Sequence, residues 1–270
     1  MGVTRRQVLV LTGGMLARRA RAGAISATIE QEWRRISRQT DGIVGASALH
    51  LETGEDVSIH GGERFPLASV CKLPIAMNIL AMVGEDKLSL NGEIEVPHYD
   101  VVPGVSEIAE HWPRQKRFPL REMLRMMIAA SDNTAVQTLF RVGGGATGMA
   151  ARFRQWKIQG IRVDRSERQC NLDAAGVAKV PPVEQWTPSL FDNLTKSIPP
   201  ELRLAAMRRF ITDARDTATP NATVRLLKRA FQGEILSPEL TAWAREDDGG
   251  DHNGRGSHQR FASGRNRRCA

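Results

Sequence analysis

Cysteine is scarce in this chain of 270 residues: Cys71, Cys170 and Cys269 are the only three, so at least one is unpaired. Their scatter excludes a disulfide-dense scaffold and supplies neither zinc-ligand spacing nor a redox pair, so each reads as a small packing residue rather than a ligand or nucleophile. Aromatic residues make up only 5% of the chain, too few for a stacking platform that would read single-stranded nucleic acid. No apolar run approaches the roughly 20 residues that a membrane-spanning helix requires. The six histidines, His50, His60, His98, His111, His252 and His258, are dispersed, and no metal or organic cofactor is implied. What is present is ordinary: 41% hydrophobic and 25% charged residues, enough to bury the core of one large domain or two closely packed ones.

The net charge of +8 sits at the chain ends. Residues 1–24 carry five arginines and no acid, and residues 249–270 carry five arginines against Asp251. Taking these +5 and +4 from the total leaves −1 for residues 25–248, so the body has no basic excess for nucleic acid. In the N-terminal segment Thr4-Arg5-Arg6-Gln7-Val8-Leu9 precedes an apolar stretch to Ala17 and the small residues Ala22-Gly23-Ala24. That order resembles a twin-arginine export signal, with a short basic amphipathic helix as the alternative. Export predicts a mature chain beginning near Ile25 and a periplasmic or secreted location.

Residues 27–38 place Ile29, Trp33 and Ile36 at helical spacing. Runs 42–51 and 56–60, split by Thr53-Gly54, read as a β-hairpin. Helices are then predicted over 68–83, 119–130, 133–141, 148–156, 201–212 and 220–232, separated by Gly, Pro and Asn. The order predicts an α+β fold, a helical domain packed on an antiparallel sheet flanked by helices. Only two strands are legible, and two barely stand alone.

Four local patterns carry chemistry. Ser69-Val70-Cys71-Lys72 puts a hydroxyl and an amine one helical turn apart. Serine needs a neighbouring base to become a nucleophile, a lysine can serve, and a helix N-terminus offers free N–H groups to an oxyanion. Ser-x-x-Lys alone is weak, since one is expected by chance in about one chain of this size. Ser131-Asp132-Asn133 lies between two helical runs, where a helix cap is the bland reading. Glu167 and Asn171, four apart in the polar stretch from Asp164 to Leu172, are spaced to share a water on a loop turn; the bland reading of Glu167 is a solvated surface charge. Arg215 to Pro220 ends a polar loop and starts a helix, with Thr219 as N-cap and Pro220 at the first position.

These patterns, in this order, resemble the class A serine β-lactamases of the penicillin-recognising serine hydrolase family, whose signature set includes Ser-x-x-Lys and Ser-Asp-Asn. The resemblance runs from about Ile25 to Glu246 and takes in Glu63-Arg64-Phe65-Pro66. It implies an acylated nucleophile at Ser69, with Lys72 as its candidate base and hydrogen-bond partner. Ser131 would relay a proton to the leaving lactam nitrogen, and Asn133 would bind the substrate's side-chain amide. Glu167, with Asn171, would activate the water that frees the acyl-enzyme; whether Lys72 or Glu167 starts acylation stays open. The implied partner is a small β-lactam, met by a monomer without nucleic acid, membrane, metal or cofactor.

Two departures accompany the resemblance. Glu167 and Asp216 lie 49 positions apart, several dozen more than is usual in class A, and no Lys-Thr-Gly follows Pro220. A cell-wall peptidase or esterase of the same superfamily, and a non-catalytic unfolded remnant, are therefore the competing expectations. Residues 25–246 read as the incomplete domain and 247–270 as an aberrant basic tail. Read one nucleotide later, codons for Asp247 to Gly254 can encode Met-Met-Glu-Ala-Thr-Thr-Thr-Gly, which restores the helical period and predicts a frameshift. Sequencing the coding DNA from codon 247 onward is expected to find the shifted frame leading into Lys-Thr-Gly and a closing helix; its absence would end the frameshift reading.

Overall fold

The computed structural model describes residues 25–246. Residues 1–24, where the export signal is expected, and residues 247–270, with Cys269, lie outside the described residues. Helix α1 runs through 25–37 and leads to the hairpin of β1 (Ala46–Leu49) and β2 (Asp56–Ile59), paired antiparallel from Ala46 opposite Ile59 to Leu49 opposite Asp56. Strand β3 (Phe65–Pro66) and a 3-10 turn, Ala68–Cys71, run into α2 (Lys72–Gly84). Then follow β4 (Glu93–Glu95), α3 (Glu107–His111), β5 (Arg117–Pro119), α4 (Leu120–Ala129), α5 (Asn133–Val142) and α6 (Gly145–Gln155). Helices α7 (Glu167–Ala175), α8 (Pro188–Lys196) and α9 (Pro200–Thr212) precede β6 (Thr217–Ala218), α10 (Pro220–Phe231) and α11 (Pro238–Glu246).

The predicted α+β class and antiparallel pairing are present, but the strands form three separate two-stranded ladders, β1 with β2, β3 with β6 and β4 with β5. Such short ladders need helices against them, and α10 lies across β1. Among the described residues the other edge of β1 has no strand beside it. A groove of about 420 Å³ opens there between Trp33, Ala46, Phe65, Val70 and Pro220. The apolar stripe expected on α1 is uncovered, with Ile25, Ile29 and Ile36 exposed. No helix among the described residues is long and apolar enough to cross a membrane.

Helix α2 is the axis of the core. It is apolar nearly all round, the pattern of a fully enclosed helix rather than a surface one, and Ile75, Ile79 and Leu80 are among its buried residues. Helices α4, α5 and α6 pack around it. Its one buried amide, Asn78, donates to Gly143 O at 3.0 Å and accepts from Arg152 Nε at 2.8 Å. The serine turn is thus mounted on the most deeply held element of the fold.

The predicted helices at 68–83, 119–130, 133–141, 201–212 and 220–232 are all present within a few residues, and the one at 148–156 begins three residues earlier, at Gly145. Thr219 caps α10 by accepting from Ala222 N, with Pro220 in the first turn. One expectation is corrected: Glu167 and Asn171 lie on helix α7, not on a loop turn. Ser166 caps it, accepting from Gln169 N at 3.3 Å, and Gly176 ends it at φ 83. Ser166 to Gln169 is a Ser-x-x-Gln capping pattern.

Asp132 ties the helices around the site together. Its carboxylate, 1% exposed, accepts from Ala135 N at 2.8 Å, Ser106 Oγ at 2.9 Å and Ile108 N at 3.1 Å, capping α5 and gripping the start of α3. Asp132→Ala is expected to lose roughly 2–4 kcal/mol, because it removes a cap and strands buried donors. Urea denaturation measures this directly; a loss within experimental error would show that the carboxylate is not the joint described.

Candidate active site

The four sequence patterns converge at the N-terminus of α2. Lys72, 5% exposed, has its ammonium 3.2 Å from Ser69 Oγ, 2.5 Å from Ser131 Oγ and 3.1 Å from Ser131 O. Three oxygens match the three donors of a lysine ammonium. The two serines, 62 positions apart in sequence, thus share one nitrogen. Ser69 itself is exposed, open to an incoming substrate.

Backbone strain marks the same place. Ala68 (φ 42) and Ser131 (φ 59) occupy the left-handed region without being glycine, at a cost of about 1–3 kcal/mol each that surrounding structure must hold. Ser131 owes its inward aim to this kink. Asp132 immediately after it is the α5 cap, as the helix-cap reading of Ser131-Asp132-Asn133 expects, while Ser131 Oγ lies against the Lys72 ammonium. Asn133 N donates to Val105 O at 2.9 Å. Its side-chain amide lies against Gly104, where a Cβ would come within 2.7 Å of Nδ2.

Glu167 and Asn171 share one face of α7, with Asn171 Nδ2 donating to Glu167 Oε1 at 3.3 Å. Burial pushes the Glu167 carboxyl above the usual glutamate range; the nearby Lys72 charge and the Asn171 amide pull partly against it. Glu167 is therefore no free surface charge, but a partly desolvated carboxylate within electrostatic reach of Lys72. The next residue, Arg168, donates its backbone N–H to Gln137 Oε1 at 3.0 Å, which joins α7 to α5.

A buried clasp closes the long segment that carries Glu167. Asp216 accepts from Asp164 N at 2.7 Å, Arg165 N at 3.0 Å and Arg165 Nε at 2.5 Å. Arg165 Nη1 also donates to Asp173 Oδ2 at 2.8 Å. The neck is fastened to the serine turn as well: β6 pairs with β3, Leu67 N donates to Asp216 O at 2.8 Å, and Arg64 Nη1 to Thr217 Oγ1 at 3.1 Å. Arg215 to Pro220 is legible in the sequence, whereas Arg165 and Gln137 carry no local signal, because their partners are distant in the chain.

Behind the turn, a cavity of about 70 Å³ is lined by Cys71, Cys170, Glu167 and Arg165 among others. Both thiols are free and partly buried. Burial pushes Cys71 up to about 12 and Cys170 higher still, so both stay protonated packing groups. Among the described residues no cluster of three or more His, Cys, Asp or Glu is placed to hold a metal.

The family model described as the β-lactamase enzyme family matches residues 28–246. β-Lactamase AER-1 of Aeromonas hydrophila is 27% identical over 208 residues, covering 76% of this chain and 56% of that protein. β-Lactamase L2 of Stenotrophomonas maltophilia is 26% identical over 247 residues, covering 88% and 69%. The chain thus spans little more than half of the first relative's length. Among solved structures, a β-lactamase from Chitinophaga pinensis superposes with a TM-score of 0.62 at 23% identity, covering 80% of this chain and 67% of the other. A variant of the class A β-lactamase of the last common ancestor of Gram-negative bacteria gives 0.58 at 25% identity, covering 79% and 66%. With the family model spanning most of the described residues and the same fold recurring in class A enzymes, this chain belongs to the β-lactamase enzyme family.

Proposed function

We propose that the chain is a serine hydrolase that opens β-lactam rings through an acyl-enzyme on Ser69. The observation that carries this reading is the Lys72 ammonium bridging Ser69 Oγ at 3.2 Å and Ser131 Oγ at 2.5 Å. In the neutral amine state Lys72 accepts the Ser69 proton as Oγ attacks the lactam carbonyl; Glu167 acting through a water is the alternative acceptor. Ser131 Oγ passes its proton to the ring nitrogen as the C–N bond breaks and is reprotonated by Lys72, 2.5 Å away. The backbone N–H of Ser69, at the start of the 3-10 turn Ala68–Cys71, supplies a donor for the oxyanion. Asn133 binds the substrate's side-chain amide.

The ester that results must then be hydrolysed. Glu167, held by Asn171, takes a proton from a water, whose oxygen attacks the acyl carbon; Ser69 Oγ leaves and recovers its proton. A peptidase or esterase that keeps its acyl group has no use for such a carboxylate, so Glu167 on α7 favours hydrolysis over that alternative. We further propose export through the twin-arginine-type segment, action outside the cytoplasm and a monomeric state.

Intact-mass measurement with a penicillin tests the acyl-enzyme. The parent is expected to gain a transient adduct, Ser69→Ala none, and Glu167→Gln a lasting one, with deacylation slowed about 10²–10⁴-fold. Failure of both the parent and Glu167→Gln to form an adduct would overturn the reading.

The raised Glu167 pKa also fixes a pH dependence. Its base form is lost as pH falls, so deacylation is expected to decline around a midpoint above the free value of 4.5. For stability the sign reverses: a carboxyl raised in the fold stabilises below its unfolded pKa and loses that contribution as pH rises through the folded value. Glu167→Gln should therefore melt above the parent at pH about 8, and the gap should shrink at pH about 4. Thermal melts at both values check this, and an unchanged gap would contradict a burial-raised carboxyl.

A further inference from the structure

Residues 176–199, between α7 and α9, lie within the long interval from Glu167 to Asp216 and are mostly exposed. Trp186 is the exception, at 1% exposure. Its indole N–H donates to Val101 O at 3.0 Å, and Phe191 meets its ring edge-on at 6.1 Å between centroids. Across its face sits the Arg168 guanidinium, 5.0 Å from the ring centroid. The same guanidinium donates to Tyr99 O at 2.6 Å. A parallel tie, His98 Nε2 to Glu184 O at 2.9 Å, brings the segment onto the same loop.

The loop so gripped is rigid on its other side, because buried Asp100 accepts from Arg141 Nε of α5 at 2.6 Å. It continues into Gly104 and Val105, which touch Asn133. Arg168 is the residue next to Glu167, and its guanidinium stacks on Trp186. An indole is a favourable surface for a guanidinium, and a stacked, partly desolvated arginine loses its freedom to move.

We propose that Trp186 is a positioning residue: by pinning Arg168 against the Tyr99–Val101 loop, it fixes the first turn of α7 and thereby the aim of Glu167. The inserted segment then acts as a brace for the water-activating carboxylate. In its kinetic consequence the inference rests on the acyl-enzyme reading above; in its structural consequence it does not.

The test pairs hydrogen exchange with acylation kinetics on the full chain. Trp186→Ala is expected to raise exchange at amides 167–171 and 98–102 about tenfold, while α4 and α6 keep their protection. With a penicillin, the acylation rate should stay within about twofold and deacylation fall about 100-fold, the scale of a misplaced catalytic group. Trp186→Phe, which keeps a ring beneath Arg168, should recover most of both effects. Arg168→Met, which leaves Trp186 in place, should reproduce the loss of protection at 167–171 and covers the case in which Trp186→Ala does not fold. Unchanged exchange at 167–171 in either truncating variant overturns the proposal. So does loss of protection throughout, or deacylation that stays within about twofold of the parent. A parent that forms no acyl-enzyme would count against the hydrolase reading alone, since the exchange comparison still decides the brace.

Discussion

A lysine ammonium shut away from water must be met by oxygen on every N–H, or its burial costs more than the fold can recover. Lys72 meets that demand with Ser69 Oγ and the Oγ and carbonyl of Ser131. The turn before α2 and the kink before α5 must therefore stand at fixed separation, which explains why left-handed backbone is tolerated at both Ala68 and Ser131. Asp132 completes the arrangement from the other side, a buried anion whose partners are a hydroxyl and two amides rather than a cation. Charge and counter-dipole hold α2, α3 and α5 in one frame, and Ser69 inherits its position from that frame.

The carboxylate is held by different physics. Glu167 belongs to a helix inside a long excursion of the chain, and nothing in α2 holds it by hydrogen bond. Its placement comes from the Asp216 clasp at the neck, from Gln137 of α5 and from the stack of Arg168 on Trp186. Two modules with separate anchors thus meet at one reaction centre, the first through core burial, the second through polar ties and one aromatic contact.

Local signals in the sequence reported on local structure. Helix α2 was visible because it is apolar all round, α10 because Thr219 and Pro220 announce its start, and the Ser69 and Ser131 groups because their spacing is short. Helix α7 is hard to read because the polar composition of Asp164 to Leu172 points to a loop, although Ser166, Gln169 and Gly176 mark both its ends. Strands β3 and β6 are two residues each, too short for any alternation to register. Nothing local could reveal that Arg165 meets Asp216, that Arg168 lies on Trp186, or that Ala68 is strained, because each depends on chain segments brought together only by folding. Only the β1–β2 hairpin is legible among the three ladders, for the related reason that the partners of β3 to β6 are distant in the chain.

The clasp between Arg165 and Asp216 also bears on how such a protein can change over generations. Once the ends of a loop are pinned, each doubling of its length costs only about 0.6 kcal/mol more in closure entropy. The interval between them is consequently a place where helices such as α8 and α9 can be gained or lost without disturbing α2, provided that the neck survives. What is exchanged there lies beside Glu167, so the wall of the proposed site can be remodelled around the Trp186 brace while Ser69, Lys72 and Ser131 stay where α2 and α5 hold them.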